Sequence, residues 1–536
     1  IKCGRSIHSC EEDMAKSNAN DAASGGEASG LKGLYLYLSV FLSGGSILVI
    51  EIAAGRVLAP HFGNTLYTWT SMIGIILAAL AVGYAIGGRM ADRNPSFKVF
   101  FMIMVVGAGL VALVPFLRAA LLPTLEKGLN LRSGPIFGGL LLFSAPACVL
   151  AALTPYAVKL SARGDETLGT VAGNLFTWST AGSIFGTFIT GFLLIPAFGL
   201  NAIFVATAIA LAAVGGIGIY LFGDVKNLNS RNLQSVLVFG CSSILAGAAW
   251  SGSPPGLTKQ TVHFQENMYH TLRVVEKKED GKDVRQLYLD YQPEGAMVIG
   301  DDTATFFRYT QFLKLGPVAV PNIRRMFFIG GGAFTMPKAL HLLRPEAEVL
   351  VAELDPDVSA IGRKYFRLDK YPKIKIENGD GRSTLKRSKG KWDFIVGDAY
   401  RGLRNIPSHL VTREFFAEAR DRLAPGGAML LNLIAARTGP GGTIFASVYR
   451  TMAAVFPEIL VYSVDPHLPA YAQNVLLLAF RDRDPDLRRK FLAQIETNPE
   501  LEFARKARVE APSPRVYGPV MTDEYAPVEY LINLGL

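Results

Sequence analysis

Phe327-Phe328-Ile329-Gly330-Gly331-Gly332 reads as an apolar strand running into a glycine turn, and Val351-Ala352-Glu353-Leu354-Asp355 as a second apolar strand with acids at its end. In a doubly wound sheet, ligands sit beyond the carboxyl ends of the strands, so a glycine turn beside a strand-end acid is the layout of a nucleoside site. Working outward, strands are expected near 326–329, 348–353, 374–377, 393–397 and 428–433, alternating with helical stretches at 334–343, 357–366 and 412–422. The fold class of this half is therefore α/β, Rossmann-like and doubly wound. Gly330, Gly331 and Gly332 let the backbone pass close to a ligand, and Glu353 can accept hydrogen bonds from both ribose hydroxyls. Asp380, in Asn378-Gly379-Asp380-Gly381-Arg382, ends the third strand, where it could contact an adenine amino group. Asp398, in Val396-Gly397-Asp398-Ala399-Tyr400, ends the fourth and can face a reacting atom. Taken singly, a tight turn would explain the glycines and a capping or turn role each acid. Four strand-end features in chain order carry more weight.

Composition divides the chain. Its 536 residues are 50% hydrophobic with a mean hydropathy of +0.27, too apolar for a wholly soluble protein, and the excess lies before residue 252. About seven apolar spans are expected, at 34–54, 69–88, 99–117, 134–153, 168–194, 201–222 and 232–250. Gly182, Gly186 and Gly191 recur at small-residue spacing, which predicts close helix packing in a bundle. The domain plan that follows is a flexible polar leader at 1–33, a multipass bundle at 34–251, a linker at 252–259, a small β-sheet at 260–325 and the nucleoside-binding domain at 326–536. The leader lacks an apolar core and so is not read as a cleaved secretory signal; Met14 is a candidate natural start. Net charge is +9 without the dense basic runs of a nucleic-acid surface, so nucleic acid is not an expected partner and anionic lipid is. The four cysteines have no metal-type spacing, and no metal is expected.

Within the bundle, Glu51 and Arg56 are ionisable groups in or beside the first span, and such groups are candidates for function at membrane depth. They also suit a pair that merely locks helices together. Gly63-Asn64-Thr65-Leu66-Tyr67-Thr68-Trp69 is echoed by Gly173-Asn174-Leu175-Phe176-Thr177-Trp178, an odd number of spans later. The echo suggests an inverted repeat with Asn64 and Asn174 at a shared site; chance similarity among small-residue helices explains it equally.

The series Gly330-Gly331-Gly332, Glu353-Leu354-Asp355-Pro356, Gly379-Asp380, Asp393 to Asp398 and Leu423-Ala424-Pro425-Gly426-Gly427 resembles the spermidine synthase (polyamine aminopropyltransferase) family over about residues 260–485. Glu51 to Pro60, Gly87-Gly88-Arg89-Met90-Ala91-Asp92-Arg93, Ile406 to Glu414 and Thr522 to Glu529 resemble its membrane-fused branch. The resemblance implies an aminopropyltransferase-like enzyme whose donor is decarboxylated S-adenosylmethionine, or S-adenosylmethionine itself, and whose partner is an amine-type substrate. It implies Asp398 as the base and Tyr309 as a substrate-orienting residue. Nucleoside contacts would come from Gly330, Gly331, Gly332, Glu353, Asp355, Asp380 and Gly381, and a homodimer is allowed. The acceptor pocket departs from the family: Ala333 replaces an acid after the glycines, Arg401 an aspartate, Gln311 a glutamate, and His270 a glutamine. Losing three carboxylates weakens the hold on a dication, so the acceptor is not expected to be simply putrescine. A methyltransferase and a transporter or receptor with a nucleoside-sensing domain remain open alternatives.

Loop charge on a seven-span plan sets Lys32, Arg89, Arg93, Lys98, Lys159, Arg163, Lys226 and Arg231 on one side and the C-terminal domain on the other. An adenosyl sulfonium is made in the cytosol, so the C-terminal domain is expected there, against the charge bias or with the span count off by one.

Overall fold

The computed structural model describes residues 7–130, 132–162, 168–222, four positions between 238 and 245, and 258–267, 269–302, 304–400 and 406–534, with side chains from residue 31 onward. The chain falls into two units, one made of 1–58 and 67–255 and the other of 59–66 and 256–536.

The first unit is helical: α1 (Ile7–Phe62), α2 (Leu66–Arg93), α3 (Phe97–Gly128), α4 (Ser133–Ala151), α5 (Leu153–Ser161), α6 (Leu168–Ile189), α7 (Ile195–Ala197) and α8 (Leu200–Phe222). Among the described residues, six helical segments are long and apolar enough to cross a membrane: Leu31–Phe62, Leu66–Arg93, Phe97–Gly128, Ser133–Ser161, Leu168–Ala197 and Leu200–Phe222. Six of the expected spans fall within these bounds. The seventh, 232–250, lies almost wholly outside the described residues. α1 starts at Ile7, inside the polar leader.

Small residues bring α1 and α6 together. A Cβ on Gly182 would collide with the Phe41 carbonyl, and one on Gly186 with the Gly45 carbonyl, whereas Gly191 meets nothing within 4 Å. Gly182→Val is therefore expected to lower stability by about 1–3 kcal/mol through overpacking. The thermal midpoint of the purified chain checks this, with Gly191→Ala as the variant expected to stay near wild type.

The two copies of the sequence echo begin differently, although Leu66–Trp69 and Leu175–Trp178 are both helical. Gly63 takes φ +79 in a turn and α2 begins at Leu66, whereas Gly173 lies inside α6. Similar small-residue strings occupy a helix entrance in one copy and a helix interior in the other. Glu51 and Arg56 are half-buried on α1, Asn64 is exposed in the turn, and Asn174 is exposed on α6.

The second unit begins with an antiparallel meander: β1 (Thr261–Glu266), β2 (Thr271–Glu279), β3 (Lys282–Leu289) and β4 (Gln292–Val298). Asp280-Gly281, both at positive φ, form the tight β2–β3 turn that matches strand twist. The main sheet holds β5 (Arg325–Ile329), β6 (Glu348–Glu353), β7 (Ile374–Asn378), β8 (Trp392–Gly397), β9 (Leu423–Ala435), β10 (Glu458–Ser463), β11 (Gln473–Phe480) and β12 (Arg508–Val509). Their order is β12-β10-β11-β9-β8-β5-β6-β7. The five expected strands are all present and parallel, but β9 pairs antiparallel with β11, β11 with β10 and β10 with β12. The sheet is thus mixed, because the hairpin after β9 adds an antiparallel edge that local apolar patterning does not distinguish from a further parallel strand.

Side chains alternate between two cores. Met326, Phe328, Val349, Val351, Phe394 and Val396 fill one face, and Phe327, Ile329, Ala352, Ile395 and Met429 the other. Burial on both faces explains why these strands read as unbroken apolar runs.

Candidate active site

The site grows from the order of the sheet. From β5 the chain goes to β6 and β7 on one side, then returns to β8 on the other, so the loops leaving β5 and β8 part and open a crevice at their carboxyl ends. The Asp398 N–H donates to the Ile329 carbonyl at 2.9 Å, which closes the two strand ends on each other.

The glycine turn fits because it has no side chains. Gly330 has φ +94, and a Cβ there would strike the Asp398 carbonyl. A Cβ on Gly331 would lie 2.7 Å from the Phe334 ring and 3.0 Å from the Glu353 carboxylate; one on Gly332, at φ +51, would lie 3.0 Å from the Glu294 carbonyl. Glu353 accepts the Gly331 N–H at 2.8 Å and the Asp355 N–H at 3.0 Å. Four lone-pair positions on a carboxylate leave two for a ligand. Burial pushes the Glu353 carboxyl above its ordinary range, against the pull of those two donors.

The other expected nucleoside contacts have structural partners too. Asp355 caps the helix Pro356–Tyr365 through the Asp357 N–H and accepts both contacts from the Asn267 amide, at 2.9 and 2.8 Å. Asp380 caps the helix Gly381–Arg387 through the Ser383 N–H at 2.9 Å, and its second oxygen is 2.6 Å from His409 Nε2. Burial raises the Asp380 carboxyl, but the Ser383 and His409 hydrogen bonds outweigh it and hold the group below its ordinary value. A Cβ on Gly381 would collide with Ile329, so this helix starts hard against β5. Arg382, next along, bridges Glu418 at 2.8 Å and Asp523 at 2.6 Å, and Thr412 donates to Asp523 at 2.7 Å. The 522–529 segment is thereby tied to the helix that carries Asp380.

At the deeper end, Asp398 is held from both sides. Tyr309 donates its hydroxyl to Oδ2 at 3.2 Å, and the Asn432 amide donates to Oδ1 at 2.7 Å. The Asn474 amide in turn donates to Asn432 Oδ1 at 3.0 Å, and the Tyr400 hydroxyl donates to the Asn432 carbonyl at 2.8 Å. Burial pushes the Asp398 carboxyl up to about 6, despite the Asn432 and Tyr309 hydrogen bonds that lower it. Its titration falls where a general base is useful. Glu294, on β4, is pushed up to about 8, first by burial and then by the negative charges of Asp398, Asp290 and Glu353. Among the described residues, no lysine or arginine forms an ion pair with Glu294 or Asp398. The recess is acidic, and a bound cation would relieve it.

Of the expected acceptor residues, His270 has Nδ1 3.1 Å from Asp290 Oδ2, and Gln311 is half-buried on the same 3-10 turn as Tyr309. Arg401 lies outside the described residues. Glu294, Asn432, Asn474 and His409 were not singled out from sequence. Asn432 did carry a signal, as the polar residue inside Leu430-Leu431-Asn432-Leu433-Ile434; Glu294 carried none, since an acid in a half-exposed strand is ordinary. No group of three or more metal-type ligands occurs among the described residues.

With this geometry in place, residues 307–490 match the spermine/spermidine synthase domain. Over those residues the chain is similar to that domain, and it spans less than two thirds of the length of the first relative it matches. The polyamine aminopropyltransferase of Vibrio vulnificus is 32% identical over 191 residues, 34% of this chain and 62% of that relative's length. That of Mycobacterium tuberculosis is 25% identical over 459 residues, 81% of this chain and 82% of the relative, so the likeness extends into the helical unit. A probable spermidine synthase structure from Corynebacterium glutamicum is 20% identical, covering 48% of this chain and 97% of that one with a TM-score of 0.38.

Proposed function

We propose that the spermidine synthase-like domain transfers an aminopropyl group from decarboxylated S-adenosylmethionine to an amine acceptor other than putrescine. The observation that carries the reading is Asp398, fixed by Tyr309 and Asn432 at a strand end beside the glycine turn. Ionised Asp398 takes a proton from the acceptor's ammonium or attacking amine. The nitrogen lone pair then forms a bond to the aminopropyl carbon next to the sulfonium, and the carbon–sulfur bond breaks with its electrons passing to sulfur, releasing methylthioadenosine. Positioning and a base of suitable strength are what this chemistry asks of the protein. Glu353 and Asp380 supply acceptors at the two strand ends beyond the glycine turn, suited to a ribose and an adenine amino group.

Gln311 carries no charge where the family resemblance implies a glutamate, so turnover with putrescine is expected to be slow beside that with a less cationic amine. A product assay on the full-length chain with putrescine, a monoamine and a longer polyamine checks this. Putrescine as the best acceptor would overturn the altered-acceptor reading, and methylated product from S-adenosylmethionine would overturn aminopropyl transfer.

The proposed setting is a multipass membrane protein with this domain in the cytosol. Counted over the six described spans, the chain after Phe222 is on the side where it began, together with Lys32, Arg89, Arg93, Lys98 and Lys159. That is the positive side by the positive-inside rule; the expected span at 232–250 lies between it and the domain, almost wholly outside the described residues, so the cytosolic placement of the domain rests on its donor, an adenosyl sulfonium made in the cytosol. An exposed cysteine introduced at Lys259 in a cysteine-free background is expected to escape impermeant labelling in intact cells; labelling there would overturn the orientation.

A further inference from the structure

We infer that Glu294 is a specificity-determining residue for the donor: from strand β4 it supplies the carboxylate that the glycine turn lacks at Ala333, and so selects a donor tail ending in an ammonium alone. The inference rests on the nucleoside reading of the crevice and adds which tail the crevice accepts.

Two close approaches place β4 on the turn. A Cβ on Gly332 would be 3.0 Å from the Glu294 carbonyl, and a Cβ on Gly295 would be 2.5 Å from the Ala333 Cβ. Residues 294 and 295 therefore lie directly across from residues 332 and 333. Ala333 is buried with no charge, and an acid there would have to share this contact with β4. Glu294 is the acid that β4 carries at this contact.

Three further carboxylates act on Glu294, and Arg273, which interacts with Asp290 and donates to its backbone carbonyl at 2.7 Å, is a cation beside one of them. Asp398 ends β8, Glu353 ends β6 and Asp290 precedes β4, and all three raise the Glu294 carboxyl electrostatically; Tyr309, Tyr400, His270 and Arg273 are the other titratable groups around these carboxylates among the described residues. S-adenosylmethionine has an ammonium and a carboxylate on its tail. Its decarboxylated form has the ammonium only. A recess of carboxylates in which no lysine or arginine among the described residues pairs with Glu294 attracts the second tail and repels the carboxylate of the first. Methylthioadenosine, which has no charged tail, is indifferent to Glu294 and reports on the nucleoside contacts alone.

The test is equilibrium titration of the full-length chain with methylthioadenosine, S-adenosylmethionine and its decarboxylated form, for wild type, Glu294→Gln and Glu294→Asp. Wild type should favour the decarboxylated donor. Glu294→Gln, which keeps shape and removes charge, should weaken that donor about tenfold to a hundredfold, the worth of a hydrogen bond to a charged group. It should leave methylthioadenosine binding unchanged and bring the two donors close together, while Glu294→Asp keeps part of the preference. In wild type the preference should also grow as pH rises toward about 8, where Glu294 loses its proton. Equal weakening of all three nucleosides, or an unaltered preference in Glu294→Gln, would overturn the role of Glu294 while leaving the nucleoside site standing. Failure of wild type to bind methylthioadenosine would overturn the nucleoside reading itself and the inference with it.

Discussion

Asp398→Asn is expected to lower kcat/KM for aminopropyl transfer by about 10²–10⁴-fold, the usual contribution of a positioned general base. Binding of methylthioadenosine should change little. The substitution is mild for the fold: an asparagine can turn its oxygen to the Asn432 amide and its own amide to the Tyr309 hydroxyl, so both existing contacts have a complementary partner. What it cannot do is take a proton from an amine. Wild-type kcat/KM should rise with pH through about 6 as Asp398 ionises, and that rise should vanish in the variant. The sign for stability is opposite. Because burial raises the carboxyl in the folded state, its favourable contribution holds below the ordinary carboxylate range and is lost as pH rises through about 6. The variant is therefore expected to be at least as stable as wild type at neutral pH. An intact pH–rate profile in Asp398→Asn would show that the base is elsewhere.

Glu353→Gln should weaken all three adenosyl ligands together, by about a hundredfold. Two ligand hydroxyls would lose a charged acceptor, and hydrogen bonds to charged groups contribute about 1.5–3 kcal/mol each. Part of the effect is internal. The carboxylate holds the Gly331 N–H and the Asp355 N–H, and a glutamine has only one oxygen with which to accept both. The glycine turn would then be less well held as well as less attractive to a ribose. Calorimetry reads the affinity loss, and a thermal melt separates it from global unfolding. Unchanged binding of all three ligands would remove Glu353 from the nucleoside site.

Much of this was legible from local sequence because its causes are local. Strands buried on both faces must be apolar throughout, which marked β5, β6, β7, β8 and β9; segments long and apolar enough to cross hydrocarbon stand out by length and composition, which marked six of the helical segments. Strand-end glycines and acids announced themselves because the carboxyl end of a parallel sheet has few reasons to hold them in that order. Gly330, Asp398 and Tyr309 do meet at one place.

What sequence could not determine depends on distant segments arriving side by side. The antiparallel β11-β10-β12 edge follows from how a hairpin folds back, not from residue pattern. His409 reaches Asp380, and Asp523 reaches Arg382, across long stretches of chain that carry no mark of each other. The echo of Gly63-Asn64 in Gly173-Asn174 looked like symmetry, and only the backbone showed a turn in one copy and a helix in the other. Above all, the sequence registered the acid missing at Ala333 but not Glu294 across from it. A charge is placed by where its strand packs, and only the tertiary structure brings β4 against the glycine turn.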